Sequence, residues 1–411
     1  MGPIPAGPMG RLLLYPASEY VMPNRLLQIL VFIALATGGF AIGTTEFGTM
    51  SLLPLIQSAM HIDESTASHI ISAYALGVVV GAPVITVMAA RVSRKPLLIG
   101  LMVVFAVGNG LSAIAPSYGW LMLFRFISGL PHGAYFGLAS LVAASIVKPH
   151  RRTQAVGYVM LGLTLATILG VPAATWLADL LDWRAGYWAV TAIAVAACLL
   201  ILVLAPYQGA QSDAHPLREL AALARPNVWL TLSIGAIGFG GVFAVYTYLT
   251  TTLANVTGMS SVWVPVVLGV FGLGMTVGNM VVPRFADRAQ MPTAGVMLVW
   301  SFLALAAFPM ASHYPIAVTI DVFLIGISVA LAAILQTRLM DVAGDAQNLA
   351  AAMNHVAFNA ANALGPLCAG MVIAYGHGAE TAGYVGAVLS LFGLIMWALT
   401  CWYDRRAAQA N

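Results

Sequence analysis

Twelve apolar runs, each about long enough to cross a bilayer, constrain this chain more than any motif within it. A helix needs roughly 20 mostly apolar residues to traverse the hydrocarbon core. Runs of that kind lie at about 28–56, 67–90, 96–115, 118–146, 155–181, 185–205, 228–253, 261–283, 291–311, 314–339, 349–375 and 381–403, separated by charges, prolines or polar clusters. Composition points the same way: 61% of residues are apolar and 8% charged, against roughly 25% charged in a soluble domain. So hydrophobic a chain is neither soluble and globular nor disordered. An all-α polytopic membrane protein is what remains. The net charge of +3 comes with no basic tract, so no nucleic-acid partner is expected.

Loop charge orients the spans. If they alternate, 15 of the 17 Lys and Arg residues fall on one side, Arg184 falls on the other, and Arg125 lies within the fourth span. Basic residues in short loops are retained in the cytoplasm, so both termini are expected there, in a bacterial inner membrane. Residues 1–24 are rich in proline and glycine. Their apolar stretch is too short for a signal peptide, and Ala6 breaks the myristoylation pattern. They read either as a flexible cytoplasmic tail or as an extension ahead of a start at Met22. The longest central linker, 207–226, carries Asp213, His215, Arg218, Glu219 and Arg225 and divides the chain six spans by six. The expected organisation is a bundle at 25–206, this linker, a second bundle at 227–403 and a cytoplasmic tail at 404–411. Cys198, Cys368 and Cys401 have no pairing or metal-ligand spacing, so free thiols and no metal are expected.

The two halves repeat. Gly77 and Gly81 in span two recur as Gly274 and Gly278 in span eight, 197 residues later, and Ala90-Arg91 is answered by Asp287-Arg288 at the same offset. Gly170-Val171-Pro172 in span five is answered by Gly365-Pro366 in span eleven. Small residues four apart let helix backbones approach closely, which lipid-embedded bundles require. Two six-span halves that start on the same side are parallel repeats, related by a pseudo-twofold axis along the membrane normal. A substrate site is then expected near the midplane between them, with alternating access by rocking.

In span four, Leu123-Phe124-Arg125-Phe126-Ile127-Ser128-Gly129-Leu130-Pro131-His132-Gly133 resembles the arginine motif of the major facilitator superfamily. In span five, Gly162 through Gly170 to Pro172, followed by Asp182-Trp183-Arg184, resembles the antiporter motif of its drug:proton and arabinose (sugar) efflux members, covering about residues 25–403. The resemblance implies a twelve-span transporter that exports its substrate, with Arg125 lining the cavity and taking part in proton coupling. The loop after span two keeps the basic residues of the family's gating motif, Arg91, Arg94 and Lys95, but Ala90 replaces its aspartate and Ser93 its glycine. Asp287 and Arg288 retain the acid and base in the second half.

An ionisable side chain at membrane depth is costly and marks a functional site by default. Glu46, in span one, changes its protonation with its surroundings, so rocking could load or release a proton; the alternative is a buried ion-pair member. Arg125 needs a carboxylate, carbonyls or water, and either serves the cavity or is a static strut between spans four and one. Ser128 and His132 share its helical face. Asp321 in span ten either lines a common cavity with Arg125 or caps a helix in its own half. His132 titrates near neutrality when unperturbed, or serves packing. His355, Asn359 and Asn362 share one side of span eleven with Asn354 at its border; they bind ligand or bond across helices. Tyr74, Tyr135, Phe136, Phe243, Tyr246 and Gln336 are further cavity candidates.

No Walker sequence occurs and no nucleophile–base or His-Glu-x-x-His cluster is present. The expected function is therefore proton-coupled export of small organic molecules, drugs or sugars, by a single chain in the lipid bilayer. A proton gradient would be the energy source and no cofactor is expected. Uptake by symport is the alternative within transport. A non-transporting receptor is disfavoured by the shortness of the soluble segments.

Overall fold

In hydrocarbon no water is present to satisfy backbone groups, so an apolar chain of this kind must close its hydrogen bonds within helices. The computed structural model, which describes residues 24–208, 220–344 and 346–410, is all-helical among those residues. Twelve helices are long and apolar enough to cross a membrane: α1 Arg25–Met60, α2 Thr66–Met88, α3 Arg94–Ala113, α4 Tyr118–Ser145, α5 Pro149–Leu180, α6 Trp183–Leu204, α7 Pro226–Asn255, α8 Val264–Ala286, α9 Gln290–Ala311, α10 Pro315–Val342, α11 Gln347–Ala374 and α12 Ala379–Ala407. With an even number of crossings, residues 24 and 410 lie on one side, here called proximal; the other is distal.

Helix ends follow local chemistry more closely than apolar run length. The Asn24 side chain accepts a hydrogen bond from the Leu26 N–H, so α1 starts three residues earlier than hydropathy indicates. It stops at His61, which is left-handed at φ 54°. Asp63 caps the next helix by accepting from the Thr66 N–H at 2.8 Å. At the other end of the chain, the helix runs on through residues 404–410 rather than ending in a tail. It is held there by an ion pair of 2.5 Å between Asp404 and Arg338. Arg11, Asp213, His215, Arg218 and Glu219 lie outside the described residues.

The repeat is physical. A β-carbon at Gly77 would sit 2.2 Å from the Phe126 carbonyl oxygen of α4, and one at Gly274 would sit 2.2 Å from that of Phe323 in α10. Reciprocally, Gly129 abuts the Tyr74 carbonyl and Gly326 that of Phe271. Each partner stands 197 residues from its counterpart, so the offset seen in the glycines extends to the backbone they touch. Between halves, α2 packs on α11 and α8 on α5, again an exchange of equivalent pairs.

The halves meet firmly on the proximal side. α4 lies against α11 where a β-carbon at Gly137 would approach Ala352 N to 2.7 Å, and Gly157 of α5 comes equally close to the Asn279 carbonyl of α8. One buried apolar cluster spans Val31 to Ala205 and also takes in Ala333, Met340 and Ala351 of the second half. Another runs from Ile234 to Ala387. Asp287 follows α8 and accepts from the Thr153 N–H (2.7 Å), the Gln154 N–H (3.2 Å) and the Gln154 Nε2 (2.9 Å). The first two are N–H groups in the first turn of the α-helical part of α5, which begins at Arg152, where a carboxylate is favoured by the helix dipole. Arg152 and Asp341 add an ion pair of 3.5 Å.

A candidate transport cavity between the halves

At mid-depth, beyond these proximal contacts, the halves separate around a chamber of about 720 Å³ of empty space, its mouth included. Glu46 and Phe47 of α1, His132 of α4, and Met160, Leu163 and Thr167 of α5 line it from the first half. Phe239, Val242, Phe243 and Tyr246 of α7, Phe271 and Met275 of α8, and Val329 and Ala332 of α10 face them, with His355, Phe358, Asn359 and Asn362 of α11.

Helix irregularities shape these walls. α4 breaks at Leu130-Pro131, just before His132, because Pro131 has no N–H to give. α7 breaks at Phe239, and α5 opens into a π-helical turn at Ala166–Gly170. That turn belongs to the segment resembling the antiporter motif. A β-carbon at Gly162 would meet the Ala36 carbonyl at 2.0 Å and one at Gly170 would meet Thr44 Oγ1 at 2.1 Å, so α1 and α5 cross with backbones in contact. Pro172 follows in the next turn, on an exposed face.

Glu46 faces the chamber and is in no ion pair among the described residues. Its sequence neighbour Thr45 accepts a hydrogen bond of 2.9 Å from Arg125 Nη1 and donates one of 2.7 Å to Asn109 Oδ1. Arg125 is only 1% exposed. It lies behind the wall rather than in it, 4.5 Å from the Tyr74 ring and 5.4 Å from that of Tyr187. Nη1 also reaches Ser128 Oγ at 3.5 Å, and Nε has no partner. The guanidinium is thus held by hydroxyls and ring faces, with no carboxylate in ion-pair contact among the described residues, an arrangement in which cation–π attraction is strengthened by burial.

Tyr74 links this arginine to the cavity, because its hydroxyl lies 3.0 Å from His132 Nδ1. The His132 ring is 5.2 Å from that of His355, across the boundary between halves. Phe136 stacks on His355 at 4.5 Å. His355 Nε2 is buried without a partner. Asn359 donates to the His355 carbonyl, one turn back on its own helix.

The other predicted residues lie elsewhere. Tyr135 donates to the Leu35 carbonyl inside the first half. Gln336 Nε2 donates to the Ala351 carbonyl and Asn354 Nδ2 to that of Ala332, both tying α10 to α11. Asp321 is buried in the distal half of α10, with Oδ2 unpartnered, and is not among the lining residues. By the repeat offset of 197, Asp321 corresponds to Phe124, and Val322 to Arg125. In the proximal loops, Arg94 donates to Gln208 Oε1 at 3.1 Å, Arg91 and Arg288 are exposed, and Lys95 is half-buried. Ala90, where an aspartate would mirror Asp287, instead borders a small empty pocket beside Asn348 at the start of α11.

Sequence reasoning missed Phe47, Phe239, Phe271 and Phe358. A signal existed in the i, i+4, i+7 spacing of Phe239, Phe243 and Tyr246, and in the position of Phe358 between His355 and Asn362.

The family model described as Major Facilitator Superfamily matches residues 35–347. The chain belongs to the Major Facilitator Superfamily. Among superfamily members, the inner membrane transport protein YdhP of Escherichia coli K12 is 39% identical over 365 residues, covering 89% of this chain and 94% of its own. A chloramphenicol resistance protein of Streptomyces lividans is 33% identical, with coverage of 89% and 93%. A probable sugar efflux transporter of Haemophilus influenzae is 29% identical, with coverage of 94% and 96%. The crystal structure of the human organic anion transporter MFSD10 shares the fold, with a TM-score of 0.71 at 15% identity over 91% of this chain and 99% of that one. As a superfamily member, this multi-pass protein is a transporter of small solutes and not an enzyme.

Proposed function

We propose that the protein is a proton-coupled exporter of small amphipathic molecules, working by alternating exposure of the mid-depth chamber to the two sides. The observation that carries this reading is a lone carboxyl, Glu46, set among six aromatic rings in a space shared by both halves. A carboxyl at membrane depth is tolerated where it faces a cavity and has work to do with ions. Each hydroxyl of a sugar needs a partner once desolvated. The polar lining here is confined to Glu46, Thr167, the Tyr246 hydroxyl, two histidines and two asparagines, so a solute with apolar surface and few polar groups fits better. That chemistry is nearer to the relative named for chloramphenicol resistance than to the one named for sugar efflux.

The proximal side is read as cytoplasmic, since its loops carry Arg91, Arg94, Lys95, Lys148, Arg151 and Arg288 while Arg184 lies on the distal side. Arrival of a proton at Glu46 from outside is linked to substrate release, and its loss to the cytoplasm resets the carrier. Arg125, anchored beside Glu46 through Thr45, keeps positive charge near the carboxyl throughout. Export rather than uptake is supported by the resemblance of Gly162, Gly170 and Pro172 to the antiporter motif. One chain holds the whole chamber, so a monomer suffices.

In inverted vesicles with an acidified lumen, the wild type accumulates labelled chloramphenicol or a fluorescent lipophilic amine, and Glu46→Gln does not. Undiminished pumping by Glu46→Gln removes that residue from the mechanism. Label entering intact cells and lost when the proton gradient collapses would indicate symport instead.

A further inference from the structure

A second concavity lies outside the transport chamber, on the proximal edge where α1 adjoins the start of α5, with about 960 Å³ of empty space. Its rim and walls carry Arg25, Lys148, His150 and Arg151; no acid among the described residues lines it, and Asp287 bonds to one lining residue, Gln154. None of the four is in an ion pair among the described residues. The same face supplies acids elsewhere: Arg152, the next residue along, reaches Asp341, and Arg338 reaches Asp404. Crowding like charges into one concavity with no carboxylate in its lining or paired to them is self-repulsive, so this groove is suited to an anion.

The groove is also amphipathic along the membrane normal. Phe32 stands seven residues after Arg25 on α1, and Tyr158 seven residues after Arg151 on α5. On α1 seven residues are two helical turns, about 10 Å, so Phe32 lies below Arg25 on the same face; on α5 Arg151 ends the 3-10 turn ahead of the α-helix that starts at Arg152, and Tyr158 lies nearly two turns further in along that helix. The two rings meet at 5.2 Å between centroids, and both are half-buried. Cations at the edge with rings one headgroup's depth further in match a phospholipid, phosphate above and first acyl methylenes below.

We propose that this groove binds the headgroup of an anionic phospholipid, with the phosphate among Arg25, Lys148 and Arg151 and the acyl chains against Phe32 and Tyr158. A free phosphate ester shares the headgroup chemistry but not the apolar half. The site depends neither on transport direction nor on substrate, so its failure and that of the export reading are separable.

Native mass spectrometry of the purified full chain tests this, with phosphatidylglycerol and phosphatidylcholine of identical acyl chains as probes. The wild type should retain phosphatidylglycerol at least tenfold more than phosphatidylcholine. Combined Arg25→Gln, Lys148→Gln and Arg151→Gln should remove that preference, while Arg405→Gln with Arg406→Gln, on the same face, should keep it. Phe32→Ala should weaken retention of both lipids, and excess glycerol 3-phosphate should leave the lipid in place. Equal retention of both lipids by the wild type, unchanged preference in the triple variant, or displacement by glycerol 3-phosphate would each overturn the proposal. The substituted cations are exposed and Phe32 is half-buried, so folding of each variant is checked by matching thermal stability.

Discussion

At the scale of single residues, Arg125 and the aromatic wall make separable demands. Arg125→Ala removes the donor to Thr45 and the cation between two tyrosine rings, and leaves the Thr45–Asn109 pair without its third member. Transport in that variant should fall to background with insertion and yield preserved, measured as uptake into inverted vesicles against immunoblotted protein. Near-normal transport would mark the arginine as a strut. Phe243→Ala and Phe358→Ala each remove a ring that lines the chamber, and buried aromatic contacts contribute about 0.5–1.5 kcal/mol beyond area burial. Their KM should rise several-fold to about tenfold, with kcat changed much less; an unaltered KM would place the substrate elsewhere. Of the residues that membrane-depth cost singled out, Glu46 lines the chamber and Arg125 and Asp321 do not, while His132, His355, Asn359 and Asn362, chosen by residue type and helical spacing, also line it. Phe47 and Phe271 were not legible, because a phenylalanine alone has the same spacing whether it faces lipid, core or cavity; Phe239 and Phe358 were betrayed only by the candidates that share their helix faces. Asp321, open from sequence between a cavity role and a cap in its own half, stands one residue out of repeat register with Arg125, about 100° around the helix, and outside the chamber lining.

At the scale of elements, the two proximal latches are unequal. Asp287 accepts three hydrogen bonds at the start of α5, whereas its repeat partner Ala90 offers nothing to the start of α11 and leaves a pocket there. Asp287→Ala should weaken proximal closure by about 1–3 kcal/mol, the cost of leaving those donors unsatisfied. Ala90→Asp should install the missing latch and strengthen closure. Cross-linking across the proximal seam reads both: slower in Asp287→Ala and faster in Ala90→Asp, and identical rates in the two would refute the asymmetry. Gly137→Leu should separate α4 from α11, since even a β-carbon there would lie 2.7 Å from Ala352 N. Helix number and order were legible because lipid enforces a minimum apolar length. Helix ends were not, since caps such as Asn24 and pairs such as Arg338–Asp404 carry helices past the apolar run.

At the scale of the whole molecule, duplication was readable from glycines because they mark backbone contacts that no other residue can make. Which side of the pair is closed was not, since sequence specifies the latches and not their state. The central claim is that the halves, shut proximally here, rock about the Glu46 chamber. Spin labels at Lys148→Cys and Arg288→Cys report the proximal seam, and labels at Leu181→Cys and Thr257→Cys the distal one, with Cys198, Cys368 and Cys401 replaced by serine. Double electron–electron resonance across a pH series with and without substrate should show the proximal distance lengthening as the distal one shortens. Distances that stay fixed, or that change in the same sense, would contradict the account.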